Sequence, residues 1–283
     1  MASFLAIARL GSFRMAAREL GISQGAISQQ LQKLERLLGV RLIERDPQGC
    51  RLTVEGREFE SHAGNLQRLA TNALNTFRQR RLAIGASSNI GTYLLQPYLR
   101  TYGDQVGENV DLQIHRNPVV AEMLANGDID VALMEWWDER PGFVSRVWRT
   151  EDIVAIVAPD HPWARMPCVN RAQLSQTPML GGESGTGTGR LLAEYLDVEL
   201  AALPVGARLG STAAVKQWVK AGMGVSLVLA GTIEDEVKTT QLVAIPLEGS
   251  PTPRKALHVI WRDSLSEKHA ACRFGNWLAK YAA

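Results

Sequence analysis

Two short amphipathic helices, separated by only two residues, constrain this 283-residue chain more than any other feature. Ser12 is a good N-cap for the first helix, and Gly21 suits the left-handed position that ends it. Ser23 can cap the second helix two residues later. The apolar residues of the first helix recur at the spacing of one helical face: Phe13, Ala16, Ala17 and Leu20. Such a tight helix-turn-helix is the geometry of a DNA-binding motif, although short helix pairs are common and the pattern alone is a weak signal.

Polar side chains on the second helix are of the types that read DNA. Its buried face carries Ile27, Leu31, Leu34 and Leu38. Glutamine and serine near a helix N-terminus can hydrogen-bond base edges, whereas lysine and arginine further along suit phosphates. The alternative is a plain amphipathic helix with a solvated polar face. The predicted DNA contacts on this helix are Ser23, Gln24, Gly25, Ser28, Gln29, Lys33 and Arg36.

A two-stranded wing is predicted directly after the second helix. Residues 41–45 have the pattern of a short strand, residues 46–49 have turn chemistry, and residues 50–52 form the return strand. Arg41, Arg45 and Arg51 surround this wing and are predicted to contact the DNA backbone. Thr53 then caps a long helix.

The head of the chain resembles the LysR-type transcriptional regulators at many fixed positions. The matching residues are Gly11-Ser12-Phe13, Ala16-Ala17, Leu20, Ser23-Gln24, Ala26-Ile27-Ser28, Leu31, Leu34-Glu35, Leu38 to Leu42, Glu44-Arg45, Leu52-Thr53 and Gly56. The resemblance implies a sequence-specific transcription regulator that is not an enzyme. It departs from the family at Gly25, where proline is usual, so we expect a softened helix start. The family's first helix also extends further toward the N-terminus, so we expect it to be shortened here.

Charge is divided unevenly along the chain. Residues 1–81 hold thirteen Lys and Arg against seven Asp and Glu, whereas the remainder holds eighteen against twenty-two. A basic head fits contact with a polyanion, although solvated arginines would give the same balance. The three cysteines lack CxxC spacing, and neither a signal-peptide pattern nor an apolar run of membrane-spanning length is present. These features predict a cytoplasmic protein that does not meet a membrane and that has no metal or other cofactor.

A long linker helix is predicted from Val54 to about Arg81. Apolar residues recur along it in alternating steps of four and three: Phe59, Ala63, Leu66, Ala70, Ala73 and Phe77. A heptad seam is typical of a coiled coil, whereas packing on the helix's own domain is the alternative. We expect a homodimer through this helix, because a helix-turn-helix usually reads two half-sites. The resemblance implies that dimers pair into a homotetramer.

The rest of the chain alternates predicted strands and helices, which indicates an α/β body with a mostly parallel sheet. The predicted strands are Leu82–Ala86, Val110–His115, Ile129–Met134, Ile153–Ala158, Pro178–Leu180, Val205–Leu209, Val225–Leu229 and Leu257–Trp261. Two sets joined by crossovers predict two lobes with a cleft, and the resemblance implies a periplasmic-binding-protein-like effector domain. The predicted domains are a winged helix-turn-helix over 1–53, a linker over 54–81 and an effector domain over 82–283. Lobe I spans about 82–152 and 248–283, and lobe II about 153–247.

Small polar residues follow several predicted strands, at the edge where open α/β sheets bind ligands. Free N–H groups at a helix start favour an anion, so a small anionic effector is predicted, with helix capping as the alternative. The predicted effector-binding residues are Ser87, Ser88, Asn89, Glu135, Gly182, Thr186, Thr188, Ser211 and Thr212. Trp136 and Trp137 either wall the cleft or lie in an interface, and Glu135 could repel an anion. The stretch 87–95 is similar to the family branch linked to sulfur oxyanion sensing.

Two other classes of protein compete with a regulator that binds promoter DNA, an effector and RNA polymerase. The first is a solute-receptor-like protein that binds a small molecule and has no DNA role; the basic head counts against it. The second is an enzyme. No catalytic residues are predicted, because the five histidines are scattered and no nucleophile–base set is recognisable.

Overall fold

The computed structural model describes residues 1–46, 49–78, 81–181, 187–199, 205–249 and 253–282, and for 45–46, 68–69, 71–78 and 187–188 the backbone alone. The chain divides into two compact units. The first is Met1–Gln79, and the second comprises Arg80–Ala125 and Ile129–Ala283. No helix among the described residues is both long and apolar enough to cross a membrane.

The first unit contains the predicted helix-turn-helix and wing. Its elements are α1 (Ala2–Leu10), α2 (Phe13–Leu20), α3 (Gln24–Leu38), β1 (Ile43–Asp46), β2 (Gly49–Leu52) and α4 (Val54–Arg78). Strands β1 and β2 form an antiparallel pair in which Ile43 faces Leu52 and Glu44 faces Arg51. Helices α1 and α2 each end at a left-handed glycine, Gly11 and Gly21.

The core of the first unit includes the beginning of the linker helix. Phe4 and Ile27 are fully buried in this core, and Ala63 of α4 is buried beside them. The ring of Phe59 meets that of Phe4 edge-on, with centroids 5.3 Å apart. The first two positions of the predicted heptad seam therefore pack on their own unit. Leu66, which follows them, is 52% exposed; the side chains of Ala73 and Phe77 lie outside the described residues.

The second unit is built from alternating strands and helices. Its strands are β3 (Arg81–Ser87), β4 (Asn109–His115), β5 (Val131–Met134), β6 (Phe143–Val157), β7 (Met179–Leu180), β8 (Val205–Ala207), β9 (Ser226–Leu229), β10 (Val243–Pro246) and β11 (Arg254–Arg262). Its α-helices are α5 (Gln96–Val106), α6 (Asn117–Asn126), α7 (Arg171–Ser175), α8 (Gly187–Leu196), α9 (Thr212–Lys220), α10 (Glu234–Lys238) and α11 (Ala270–Tyr281). The described residues of this unit also form a π-helix at Ile90–Leu94 and 3-10 turns at Pro162–Arg165 and Ala230–Thr232.

The sheets of the second unit are mixed, so the expectation of a mostly parallel sheet was wrong. Strand β3 pairs in parallel with β4 and β5, but β11 lies antiparallel between β5 and β6. Strand β11 therefore runs in the opposite direction to β3, β4 and β5. Strand β6 in turn runs in the opposite direction to β11. Strand β6 also pairs antiparallel with β9 and β10.

The long strand β6 links the two lobes without interruption. Its residues Phe143–Asp152 pair with β11, and its residues from Ile153 onward pair with β9 and β10. Strands β7 and β8 are parallel and join the second lobe through a hydrogen bond from the Leu180 amide to the Val225 carbonyl, 2.8 Å. The predicted two-lobed α/β fold is confirmed.

Candidate DNA-binding surface and effector cleft

Local capping places the start of α3. The Ser23 hydroxyl accepts a hydrogen bond from the Ala26 amide at 3.1 Å, and α3 begins at Gln24. Helix α3 therefore starts at the residue before Gly25, even though position 25 lacks the proline that was discussed above as usual at this position. A cap of this kind typically contributes about 1 kcal/mol, which offsets the entropic cost of a glycine in the first turn.

The predicted base-reading residues of α3 are accessible to different extents. Ile27 and Leu31 are buried, whereas Gln24 and Gln29 are exposed and Ser28 is half-buried. Among the predicted phosphate contacts, the exposed ones on α3 are Lys33 and Arg36. The Arg36 Nε atom donates to the Gln32 carbonyl at 3.3 Å, so its guanidinium lies along its own helix.

The wing is attached to α3 through one carboxylate. Glu35 Oε1 accepts from the amides of Leu42 and Ile43, at 2.8 and 3.3 Å. On the other side, Thr53 Oγ1 donates to the Arg41 carbonyl at 2.7 Å and accepts from the Gly56 amide at 2.8 Å. Because these bonds hold both ends of the wing, its position relative to α3 depends on a few polar atoms.

The predicted wing arginines are described to different extents. Arg41 is exposed and precedes β1, and Arg51 is exposed on β2 opposite Glu44. Arg45 lies in β1, but its side chain is outside the described residues. The structure brings Arg41 and Ser28 together along the lining of one concavity between α3 and the wing.

In the second unit, four predicted effector residues gather at the carboxyl ends of parallel strands. Ser87 ends β3 and Glu135 follows β5, and the Ser87 hydroxyl lies 3.4 Å from Glu135 Oε1. The Ser88 hydroxyl donates to the carbonyl of His115, the last residue of β4, at 3.2 Å. Asn89, which interacts with the Glu135 carboxyl, precedes the π-helix. Three adjacent strands therefore supply one polar edge.

A neighbouring asparagine fixes the end of β5. Asn117 Oδ1 accepts from the Glu135 amide at 2.9 Å, and its Nδ2 donates to the Trp136 carbonyl at 3.0 Å. The Glu135 side chain is only 4% exposed. Burial raises its pKa above the ordinary value of a glutamic acid, although hydrogen bonds from Asn89 and Ser87 act in the opposite sense.

The second lobe contributes its own polar strand ends. After β8, the Ser211 hydroxyl caps α9 by accepting from the Ala214 amide at 3.2 Å, and Thr212 is the first residue of α9. Helix α8 contains Thr188, whose side chain is outside the described residues. The predicted residues Gly182 and Thr186 also lie outside them.

Two cation–π contacts join the lobes beside these residues. The Lys216 ammonium lies 4.2 Å from the centroid of the Tyr93 ring, which connects α9 with the π-helix. On the other side, the Arg190 guanidinium of α8 lies 5.0 Å from the ring of Trp136. These contacts place α8 and α9 of the second lobe against residues that follow β5 and β3 of the first lobe.

The Lys216 side chain is itself buried in a network of acceptors. Its Nζ donates to the Thr232 carbonyl and lies against Glu236 Oε1, both at 2.8 Å. Burial alone would raise the pKa of Glu236, but hydrogen bonding and charge from Lys216 hold that pKa below its ordinary value. A buried ion pair with additional hydrogen bonds is stable only when each partner stays in place.

A second polar cluster lies near the same lobe junction. Glu151 pairs through Oε1 with Arg149, and its Oε2 accepts from the Gly231 amide at 2.8 Å. Tyr98 accepts from Arg149 Nη1 at 3.3 Å. A cavity of about 390 Å³ is lined by Arg149 and Gly231 of this cluster and by Lys216.

Sequence reasoning missed Asn117, Glu151, Arg190 and Lys216. Lysine, arginine and glutamate are normally exposed, so their burial or their contact with an aromatic ring leaves no local signature. Asn117 directly precedes Pro118 at a helix start, where asparagine is common as a cap.

Comparison with known families accounts for nearly the whole chain. The bacterial regulatory helix-turn-helix protein of the lysR family matches residues 1–57, and the LysR substrate binding domain matches residues 75–283. The chain therefore belongs to the LysR family of DNA-binding transcriptional regulators with an effector-binding domain. The predicted family membership is confirmed.

Curated relatives are also transcriptional regulators. The putative HTH-type transcriptional regulator protein PtxE of Stutzerimonas stutzeri is 48% identical over 188 residues, which cover 66% of this chain and 96% of PtxE. The RuBisCO operon transcriptional regulator of Allochromatium vinosum is 28% identical, covering 99% of this chain and 94% of that protein. An uncharacterized HTH-type regulator of Escherichia coli, YeiE, is 29% identical over 94% of this chain and 90% of its own length.

Solved structures share the fold over at least nine-tenths of their length. Full-length CbnR complexed with its target DNA has a TM-score of 0.70 at 20% identity and covers 100% of this chain and 98% of CbnR. An H2O2-bound mutant of Corynebacterium glutamicum OxyR has a TM-score of 0.63 at 25% identity, covering 99% of this chain and 90% of OxyR. These similarities agree with the two-part architecture described above.

Proposed function

We propose that this chain is a cytoplasmic, non-enzymatic regulator whose α3 reads a promoter dyad and whose second unit binds a small anionic effector. One observation carries the proposal. One chain contains both parts of such a regulator. The first unit has a capped α3 with exposed glutamines and a wing that is held by hydrogen bonds, and the second is an α/β unit whose strands end in polar residues. The family and its DNA-bound member CbnR support the DNA role.

In the proposed complex, α3 enters the major groove and the wing follows the backbone. Gln24, Ser28 and Gln29 read base edges, and a glutamine pairs bidentately with adenine. Phosphates are held by cations around this surface: Lys33, Arg36, Arg41, Arg45 and Arg51. Ser23 and Gly25 lie at the helix N-terminus, whose free amides favour a phosphate.

The DNA role predicts two different responses to substitution. Gln29→Ala is expected to lower affinity for the preferred site about 10- to 100-fold and to relax specificity at one base position. Lys33→Ala is expected to weaken binding to every DNA sequence. It should also reduce the slope of log affinity against log salt concentration by the amount that corresponds to about one phosphate contact. Affinity is measured across salt concentrations with sites selected by the protein from random DNA.

Lys238→Ala is the matched control, because Lys238 is exposed on α10 in the second unit and its ion pair is with the equally exposed Glu234. It should leave affinity and salt slope unchanged. Equal losses for Gln29→Ala on preferred and random DNA would contradict base reading by that side chain.

For the second unit, we propose that an anion binds in the cleft and shifts lobe closure. The contributing residues are those at the polar strand ends, Ser87, Ser88, Asn89 and Glu135 of the first lobe with Ser211 and Thr212 of the second. Gly182, Thr186 and Thr188 are proposed to complete the cleft. We propose that two chains form a dimer through α4 and that dimers pair into a tetramer. In this assembly, closure of the two lobes around the anion would change the contacts with DNA. RNA polymerase is the proposed final partner.

The effector proposal is tested by a thermal-shift screen of inorganic oxyanions, short carboxylates and amino acids, followed by Ser88→Ala. This change is expected to weaken anion binding about tenfold, because the anion is proposed to take the hydroxyl hydrogen that the His115 carbonyl accepts in this structure. Ser175→Ala is matched, since its hydroxyl also donates to a backbone carbonyl, that of Ala172 at 2.9 Å. A Ser88→Ala protein with an unchanged ligand response would remove Ser88 from the site.

A further inference from the structure

Gln32 of α3 is an exposed glutamine whose side-chain amide makes no hydrogen bond within the described part of the first unit. Only its backbone is engaged there, because the Gln32 carbonyl accepts from Arg36 Nε at 3.3 Å. A glutamine side chain carries an amide oxygen that accepts and an amide nitrogen that donates. Both atoms of Gln32 are therefore available to another molecule.

The nearby Gln30 is also exposed, but its amide is already engaged. The hydroxyl of Ser3 on α1 donates to Gln30 Oε1, and Ser3 is only 2% exposed. Because a buried hydroxyl needs an acceptor, this bond holds the Gln30 amide oxygen on the side of α1. Gln30 is therefore not free to turn both amide atoms toward a base edge, whereas Gln32 is.

The position of Gln32 on α3 places it beside two proposed base-reading residues. It follows Ser28 by four residues and Gln29 by three, and residues at these spacings are neighbours on a helix surface. The buried Ile27 and Leu31 lie about 140° and about 100° away from it around the helix axis. The accessible surface around Ser28 and Gln29 therefore continues for one more turn at Gln32.

A concavity of about 620 Å³ between α3 and the wing gives Gln32 access to a ligand. Its lining includes Ser28 and Gln32 of α3 together with Arg41, the exposed residue that precedes β1. Such a groove suits DNA, because an arginine can contact a phosphate while polar side chains of the helix meet base edges.

We propose that Gln32 is a further base-reading residue of α3 and that it pairs bidentately with an adenine in the major groove. Its amide oxygen accepts from adenine N6, and its amide nitrogen donates to adenine N7. The inference rests on the proposed use of α3 and adds a base pair to the recognised sequence. Gln32 lies eight residues, or about 12 Å along the helix axis, beyond Gln24, so it meets a base pair that the first turn of α3 does not reach.

The test selects preferred sites from random DNA with the full chain and compares the wild type with Gln32→Ala and Gln32→Glu. Gln32→Ala is expected to lose one A·T preference and to bind the wild-type site about 10- to 100-fold more weakly. An ionised glutamate accepts from cytosine N4 but has no donor for adenine N7, so Gln32→Glu is expected to select C·G at that same position. A merely structural role of Gln32 would not exchange one base for another.

Gln30→Ala is the matched control on the same helix. It is expected to lower the stability of the first unit, since the buried Ser3 hydroxyl loses its acceptor, and to leave the preferred sequence unchanged. Thermal unfolding of each variant measures stability. Affinity for random DNA measures the general repulsion that the added charge of Gln32→Glu causes, so that it can be separated from base preference.

The outcomes separate this inference from the proposed function. If the wild type selects a preferred sequence and either Gln32 variant selects the same one, the inference alone is overturned. Equal losses by Gln32→Ala on preferred and on random DNA would make Gln32 a phosphate contact and would also overturn it. If the wild type shows no sequence preference, the proposed base reading by α3 fails together with the role of Gln32.

Discussion

Gly56→Ala is expected to destabilise the first unit by at least about 3 kcal/mol and to abolish tight DNA binding. A Cβ atom at position 56 would lie 2.0 Å from the Leu42 carbonyl oxygen and 3.2 Å from Leu52 Cδ2. The Leu42 carbonyl cannot move freely, because it accepts the Thr53 amide at 3.1 Å. The wing or the start of α4 must therefore shift, and both support the proposed DNA surface.

The measurement combines thermal unfolding of the full chain with DNA affinity. Gly25→Ala is the control for stability, since its nearest neighbour would be Ser23 Oγ at 3.9 Å and it lies in the first turn of a helix. This control is expected to stabilise the unit by about 0.5–1 kcal/mol. If Gly56→Ala is as stable as the wild type, the prediction is wrong, because the backbone at Leu42 can then shift at little cost in free energy.

Glu151→Ala is expected to destabilise the second unit by about 3 kcal/mol, the lower end of the cost of breaking a buried ion pair. The change removes the ion-pair partner of Arg149 and the acceptor of the Gly231 amide together. The lower end applies because the Arg149 side chain is 26% exposed. Loss of the bond to Gly231 should also loosen the Ala230–Thr232 turn and reduce the effector response.

The matched control lies on the same strand. Asp152 forms an ion pair with Arg254 at 2.9 Å, but both side chains are more than half exposed. Asp152→Ala is therefore expected to cost less than about 1 kcal/mol. Chemical denaturation of the full chain measures both variants. Similar losses for the two would indicate that burial of Glu151 contributes nothing to its pairing.

The elements that sequence reasoning predicted well are those with local signals. The bounds of α2 follow from the Ser12 cap and from the terminal Gly21, and the start of α3 follows from the Ser23 cap; each signal acts within a few residues. The apolar strand β3 was likewise predicted almost to its ends. Helix α11 begins at Ala270, where the His269 side chain caps it by accepting a hydrogen bond from the Ala271 amide.

The first part of β6 was not predicted from the sequence, because many of its residues are of types that are usually exposed. Residues 143–152 contain Arg146, Arg149, Glu151 and Asp152, and no alternation of apolar residues marks a strand. The strand forms because β11, more than a hundred residues later, pairs with it. Strand β10 was missed because it is four residues long and ends in proline.

The sequence by itself determined the family, the DNA-binding architecture and the positions of the polar strand ends, because these depend on residue types at short, fixed spacing. Only the tertiary structure decided which charged side chains are buried and what they contact. Glu151 and Lys216 resemble ordinary surface residues in the sequence, and they have partners on other elements of the fold. The energy of a charge depends on its surroundings rather than on its sequence neighbours, so the chemistry of the cleft becomes visible only when the chain is folded.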